Sequence, residues 1–202
     1  MRLVAITDRR RMVPADVLER GSWPAIAAAF GAAVQRLVDR AGAGLLVQVR
    51  EKDLDGGPLL ALVRVALATG ARVAVNERVD VALAAGAHAV HLPERGLSVA
   101  DARSLAPDLA IGISCHTVDA VRAAAQAGAD LAQLGPIWAT PDKGPPLGAA
   151  SLGAARRALA SSPTHLVAVG GIDSPALAAA ALAAGADATA AIRAAWSGTL
   201  PG

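Results

Sequence analysis

The chain alternates between short apolar runs, several of them β-branched, and longer Ala/Leu-rich segments with helical periodicity. Several short runs are apolar without alternation, which is typical of strands buried on both faces. The runs predict strands at residues 3–7, 45–49, 72–75, 89–92, 110–114, 131–134, 165–169 and 188–192. The longer segments predict helices near residues 24–40, 56–69, 78–84, 98–105, 117–127, 150–160 and 174–184.

Eight strands alternating with helices in 202 residues favour an α/β fold, the (β/α)8 TIM barrel. Because no linker or low-complexity segment interrupts the sequence, we expect a single domain over residues 1–202. Periodicity alone leaves a doubly wound open sheet as the structural alternative.

A weak tripeptide repeat supports the alternation, because each copy lies between an Ala-rich helix and a strand. The copies are Gly86-Ala87-His88, Gly128-Ala129-Asp130 and Gly185-Ala186-Asp187. Glycine can adopt the left-handed conformation that ends a helix before a short loop. We therefore expect the repeat to mark helix-to-strand loops.

Composition and charge exclude several classes of function. Apolar residues make up 54% of the chain and charged residues 18%, which indicates a globular protein. The net charge of +2 comes from dispersed residues, so we expect no nucleic-acid partner. The single cysteine, Cys115, rules out an internal disulfide and a Cys-based zinc cluster. The N-terminus does not resemble a signal peptide and the apolar stretches are short, so we expect a cytoplasmic protein with no membrane partner.

Polar groups and glycines follow nearly every predicted strand. In a barrel these positions share the C-terminal face, where active sites form. The irregular stretch at residues 138–147 follows the sixth strand and belongs to the same face. The candidates for a substrate pocket are Gln48, Arg50, Lys52, Asn76, Glu77, Ser114, Thr140 and Lys143.

A phosphate site is predicted after the last two strands. Gly170 and Gly171 follow the seventh strand, and their backbone N–H groups could approach an anion closely. Arg193 follows the eighth strand and could supply a guanidinium contact. Barrels commonly bind phosphate with these two loops.

His116 is the candidate acid/base, because histidine titrates near neutral pH and this one follows the fifth strand. Cys115 is a poor partner for it, since neighbouring residues at a strand end point in opposite directions. We expect His91 and His88 to be packing or surface residues, and His165 to lie at the opposite end of the barrel.

Six segments together resemble the thiamin phosphate synthase/TenI family over almost the whole chain. They are ITD at 6–8, QVREKDL at 48–54, VNERVDVAL at 75–83, GISCHT at 112–117, GADLAQLGPIWAT at 128–140 and AVGGI at 168–172. The resemblance implies a (β/α)8 barrel that handles thiazole phosphate. It also implies one of two activities, a Mg²⁺-dependent synthase using an aminopyrimidine diphosphate, or a metal-independent thiazole tautomerase of TenI type.

Departures from the family pattern fall on the diphosphate and metal half of the site. The Asn-Asp of the synthases is here Asn76-Glu77, and their metal-binding Asp corresponds to Gly96. Their Thr-x-Thr-Lys loop is Thr140-Pro141-Asp142-Lys143, which places an anion where a hydroxyl should meet a diphosphate. Gln48, Arg50 and Lys52 remain. Arg193 stands where the family has a serine.

These residues favour a tautomerase without a metal cofactor, in which Gly170, Gly171 and Arg193 anchor thiazole phosphate and His116 transfers a proton. A divergent synthase using Mg²⁺, with Glu77 and also Glu94 as candidate ligands, stays an alternative. A non-catalytic binder of thiamin-related phosphates is another. The resemblance also implies a homo-oligomer, and leaves the roles of Lys52 and Glu77 unassigned.

Overall fold

Eight parallel strands form a closed barrel in the computed structural model, which describes residues 2–19, 22–141 and 143–200. The strands are β1 Leu3–Ile6, β2 Leu45–Val49, β3 Arg72–Asn76, β4 Ala89–Leu92, β5 Ala110–Cys115, β6 Leu131–Leu134, β7 His165–Val169 and β8 Ala188–Ala191. β8 pairs with β1, with Leu3 opposite Thr189, and this pairing closes the sheet. The (β/α)8 barrel is therefore confirmed, and the open sheet is excluded.

The helices are α1 Arg9–Met12, α2 Ala15–Glu19, α3 Trp23–Ala41, α4 Gly56–Ala68, α5 Val79–Ala85, α6 Val99–Leu105, α7 Val118–Gln126, α8 Ala150–Ala158, α9 Pro175–Ala183 and α10 Arg193–Trp196, with a 3-10 turn at Gly42–Gly44. Each strand begins where the sequence predicts it, and the ends differ by at most one residue. Three helices were not predicted, α1, α2 and α10, because helices of four or five residues are too short to show a helical period in the sequence.

Alternate strand residues fill the barrel and form an apolar plug. Its buried members are Val4, Ile6, Leu46, Ala74, Ala89, Leu131, Val167, Ala188 and Ala190. A second and larger core packs between the strands and the helices, where Phe30 is fully buried. Small side chains let the strands and helices approach closely, which explains how a core with so few aromatics is filled.

The tripeptide repeat forms hydrogen bonds to the strands at the N-terminal end of the barrel. As expected, its glycines follow helices with positive φ, at 68° for Gly86, 83° for Gly128 and 113° for Gly185. The third residue of each copy adds a contact that the sequence analysis did not predict, because its side chain accepts from a backbone N–H of the preceding strand. The bonds are Val73 N to His88 Nδ1 (3.2 Å), Ile111 N to Asp130 Oδ2 (2.8 Å) and Leu166 N to Asp187 Oδ2 (2.8 Å).

The two carboxylates of the repeat also bind arginines. Asp130 pairs with Arg103, and Asp187 pairs with Arg156. His165 lies 3.7 Å from Asp187, so it is at the N-terminal end, as predicted. Among the described residues, no helix has both the length and the hydropathy that crossing a membrane requires.

Candidate active site

A chain of three amides spans the barrel just above the apolar plug. Gln133 Nε2 donates to Gln48 Oε1 (2.8 Å), and Gln48 Nε2 donates to Asn76 Oδ1 (3.1 Å). β6 and β2 are four strands apart in a closed ring of eight, so the first of these bonds crosses the interior. Gln48 and Gln133 are both buried. We call Gln133, Gln48 and Asn76 the amide floor.

The same interior layer continues through β4 and β5 with polar side chains. His91 Nε2 lies 2.9 Å from Ser114 Oγ, and His91 is buried. Burial, and secondarily the charge of Arg50, lowers the pKa of His91 from 6.5 to about 4. His91 is therefore neutral at pH 7, and it packs at the barrel end as the sequence analysis expected.

Two loops at the same end are joined by a buried carboxylate, Glu51. Its Oε1 accepts from the Thr7 hydroxyl (2.6 Å) and from the Arg9 backbone N–H (3.0 Å), and its Oε2 accepts from the Arg9 guanidinium (3.1 Å). Thr7 Oγ1 also accepts from Arg50 N (2.9 Å). Burial raises the pKa of Glu51, although these hydrogen bonds oppose the shift. Glu51 thus ties the loop after β1 to the loop after β2.

Arg50 and Lys52 flank this carboxylate and line the solvent side. Both contribute to a cavity of about 250 Å³ that also includes Ile192, next to β8. Lys52 extends into a second cavity of about 390 Å³, together with Asn76 and Glu77. Neither cation forms an ion pair with another described residue. These predicted pocket residues are therefore brought together at the C-terminal end of β2 and β3.

His116 has a fixed tautomer. Its Nδ1 lies 2.6 Å from the carbonyl oxygen of Gly135, which can only accept, so Nδ1 carries the proton. Nε2 is then the basic nitrogen, and Glu94 Oε2 lies 4.0 Å from it. The side chain is 54% exposed, so Nε2 is accessible above the end of β5.

Cys115 faces the other way, as the alternation predicts. It is buried in the core between strands and helices. Burial, with a smaller contribution from Glu94, raises the pKa of its thiol to about 12. A thiolate at this position has no support.

Gly170 and Gly171 pack tightly against the loop that follows β6. Their φ angles are 96° and 69°, and a Cβ at either position would lie 2.6 Å from Pro136 or Trp138. The neighbouring backbones are joined by Trp138 N donating to Gly170 O (3.1 Å). Glycine is therefore required here for packing and conformation, whatever ligand the loop binds.

Arg193 is the first residue of α10, and it is exposed. No hydrogen bond or ion pair joins its side chain to the rest of the described chain. In the loop after β6, Thr140 Oγ1 donates to Trp138 O (3.2 Å), and Lys143 is exposed. Asp142, one of the departures from the family pattern, lies outside the described residues.

The residues present do not fit the family's magnesium site. A Cβ at Gly96 would lie 2.8 Å from Pro93 Cγ, so a carboxylate there requires the turn to shift. Glu51 and Asp53 are engaged by Arg9, Glu94 lies 4.0 Å from His116 Nε2, and Glu77 forms no ion pair with another described residue. Among residues 2–19, 22–141 and 143–200, no three His, Cys, Asp or Glu side chains could hold a metal ion.

Gln133, Glu51 and Arg9 were not predicted as site residues, and Glu94 was considered only as a metal ligand of the alternative synthase. Gln133 had a detectable signal, because it is a polar residue on the interior face of an apolar strand, two positions after Leu131. Its partner is 85 residues away, so the bond itself could not be predicted. Glu51 lies between two residues that were selected, and only its burial sets it apart.

The chain is similar in sequence to proteins named thiamine-phosphate synthases. The family model described as thiamine monophosphate synthase (TMP-TENI) matches residues 25–195. A thiamine-phosphate synthase of Anaeromyxobacter dehalogenans is 46% identical over 138 residues, which is 65% of this chain and 61% of the relative. One of Mycobacterium bovis is 39% identical over 188 residues, 85% of this chain and 77% of the relative. The chain thus spans about three fifths of the first of these relatives.

A solved structure extends the similarity to the fold. A thiamine phosphate pyrophosphorylase of Pyrococcus furiosus superposes with a TM-score of 0.73 at 27% identity, covering 95% of this chain and 85% of that one. The barrel, the matched region and the sequence identities agree. The chain belongs to the thiamine monophosphate synthase (TMP-TENI) family.

Proposed function

We propose that this chain is an enzyme of thiamin biosynthesis that acts on a thiazole phosphate and catalyses thiazole tautomerisation without a metal. His116 is the acid/base, and the loops after β7 and β8 bind the phosphate. The observation that carries this proposal is the fixed tautomer of His116, which presents a free and accessible Nε2.

The proposed proton transfer uses this nitrogen twice. Nε2 accepts a proton from a saturated ring carbon of the non-aromatic thiazole carboxylate phosphate, and the resulting imidazolium returns one proton to a carbon outside the ring, which leaves the ring aromatic. No proton is gained or lost, as a tautomerisation requires. Glu94 at 4.0 Å is too distant to hydrogen bond to Nε2 but close enough to stabilise the transient imidazolium.

The remaining polar groups support binding. Gly170 and Gly171 offer backbone N–H groups at the end of β7, and Arg193 offers an unpaired guanidinium after β8. Arg50 and Lys52 add positive charge to a cavity that also includes Ile192, the neighbour of Arg193 in sequence, which suits an anionic substrate.

The experiment compares His116→Ala with the wild-type protein in a tautomerisation assay that contains a chelator. We expect the kcat to fall by about 10²–10⁴-fold, the usual contribution of a general acid/base. His165→Gln is the matched control, because His165 is exposed at the other end of the barrel. An unchanged rate in His116→Ala would remove this residue from the mechanism.

A divergent synthase is the second candidate, and the names of the relatives favour it. Gln48, Arg50 and Lys52, which match the synthases, also support it. The test is coupling of an aminopyrimidine diphosphate to thiazole phosphate in the presence of Mg²⁺. Turnover in this assay, without tautomerisation, would replace the first proposal. Binding of thiazole phosphate without turnover in either assay would indicate a carrier or regulator.

A further inference from the structure

The hydrogen bonds of the amide floor run in one direction, with each amide donating to the next. A primary amide has a carbonyl oxygen that accepts and an NH₂ group that donates. Because Gln133 Nε2 donates to Gln48 Oε1, Gln48 has its Nε2 left for Asn76 Oδ1. Asn76 therefore accepts from the floor with its oxygen and keeps its NH₂ group for another partner.

Asn76 is also a residue of the pocket. Asn76 is only partly buried and lines the cavity of about 390 Å³ together with Lys52 and Glu77. No described residue hydrogen bonds to Asn76 Nδ2. A donor beside a lysine ammonium is suited to a ligand group that accepts hydrogen bonds and carries negative charge. Glu77 shares the cavity and limits how much negative charge it tolerates.

Gln133 is the residue at the start of this chain of bonds. It is buried, it reaches Gln48 from the opposite strand, and its side-chain hydrogen bond is to Gln48 and not to Asn76. Its hydrogen bond holds the Gln48 amide in the orientation that points Nε2 toward β3. Without that bond, either end of the Gln48 amide can face Asn76, and Asn76 can turn with it.

We infer that Gln133 is a positioning residue that acts through Gln48 to hold Asn76 as a hydrogen-bond donor toward the substrate carboxylate. The choice of a carboxylate rests on the proposed function. The consequence is selectivity, because the pocket binds thiazole carboxylate phosphate more tightly than thiazole phosphate, which lacks this acceptor.

The test measures the ratio of the Kd values for these two ligands in a double-mutant cycle. Gln133→Met and Asn76→Ala each replace one uncharged side chain by another, so they leave the net charge of the pocket unchanged. We expect each variant to reduce the selectivity for the carboxylate about tenfold, the order expected for one charge-assisted hydrogen bond. The double variant should lose no more than Asn76→Ala alone.

A purely structural role for Gln133 makes a different prediction. It would weaken the binding of both ligands equally, or add its effect to that of Asn76→Ala, and either result would overturn the inference. Thr164→Val is the matched control, since Thr164 is equally buried but bonds to Ala129 O at the N-terminal end. It should lower stability and leave the selectivity unchanged.

Asn76→Asp tests the direction of the chain. An aspartate retains an oxygen for Gln48 Nε2 but replaces the NH₂ group with a second oxygen. We expect its selectivity for the carboxylate ligand to fall below that of Asn76→Ala, and selectivity equal to wild type would refute the inferred direction. The proposed function is tested separately by the His116 variant, because binding selectivity does not depend on proton transfer.

Discussion

The two ends of the barrel use similar polar side chains in opposite ways. At the N-terminal end, Asp130 and Asp187 each satisfy a strand N–H and an arginine. At the C-terminal end, Lys52 and Arg193 have no ion-pair partner among the described residues, and the Asn76 NH₂ group has no hydrogen-bond partner there. One end is closed on itself, while the other retains hydrogen-bonding capacity for a ligand.

This difference has a physical origin in the strands. In β2, β4 and β6 the interior residue near the C-terminal end is polar, where Gln48, His91 and Gln133 take the place of aliphatic side chains. Burying these groups costs free energy unless they are hydrogen-bonded, so they bond to one another across the barrel. The C-terminal end therefore contains a buried, hydrogen-bonded polar layer across the barrel interior, which is expected of a functional site.

The largest expected effect on stability at the C-terminal end comes from His91. Its pKa falls from 6.5 to about 4 on folding, so between these values the unfolded chain binds the proton more tightly. Stability should therefore decrease by up to about 3 kcal/mol as the pH falls from 7 to 4. His91→Gln should lack this part of the pH dependence, as urea unfolding at several pH values would measure. Parallel stability curves for the two proteins would contradict the assignment.

Substitutions at the N-terminal end of the barrel should change the stability of the protein and leave its activity unchanged. Asp130→Ala leaves the buried Ile111 N–H without its acceptor, and we expect a loss of about 1–3 kcal/mol in the free energy of unfolding. Asp130→Asn, which retains an acceptor oxygen and loses the ion pair with the partly exposed Arg103, should lose less. Urea titration measures both variants. The kcat of each variant should equal the wild-type value. A reduced kcat would contradict the conclusion that the N-terminal end contributes to stability and not to activity.

The smallest expected effect is at Arg193. Because its side chain is exposed and unpaired among the described residues, Arg193→Ala should leave the melting temperature unchanged. If it contacts the phosphate, the Kd for thiazole phosphate should rise about tenfold. Calorimetric titration of the variant decides this, and Arg95→Ala, also exposed at the C-terminal end, controls for the loss of one charge. Equal effects of the two variants would mean that Arg193 acts through its positive charge alone and makes no specific phosphate contact.

Much of the fold could be predicted because strands buried on both faces leave an unambiguous pattern. The run LLVQV at Leu45–Val49 shows this, with one glutamine in an otherwise aliphatic strand. What could not be predicted depends on register between distant strands. His88, Asp130 and Asp187 stand next to recognisable glycines, yet their bonds exist only because each strand places its second residue opposite them.

The candidate site divides in the same way. Gln48 and Asn76 were selected because they end strands, and the structure joins them directly. Gln133 was overlooked because its significance lies in a bond across the barrel. The tautomer of His116 was also beyond prediction, since it depends on the carbonyl of Gly135 in the next loop.

The central claim is that the open end of the barrel performs proton transfer without a metal. The most direct measurement is the rate at which the wild-type protein converts thiazole carboxylate phosphate to its aromatic tautomer in the presence of a chelator. We expect saturable turnover at a rate that the chelator does not change. Absence of this turnover, together with Mg²⁺-dependent coupling of the aminopyrimidine diphosphate to thiazole phosphate, would contradict it.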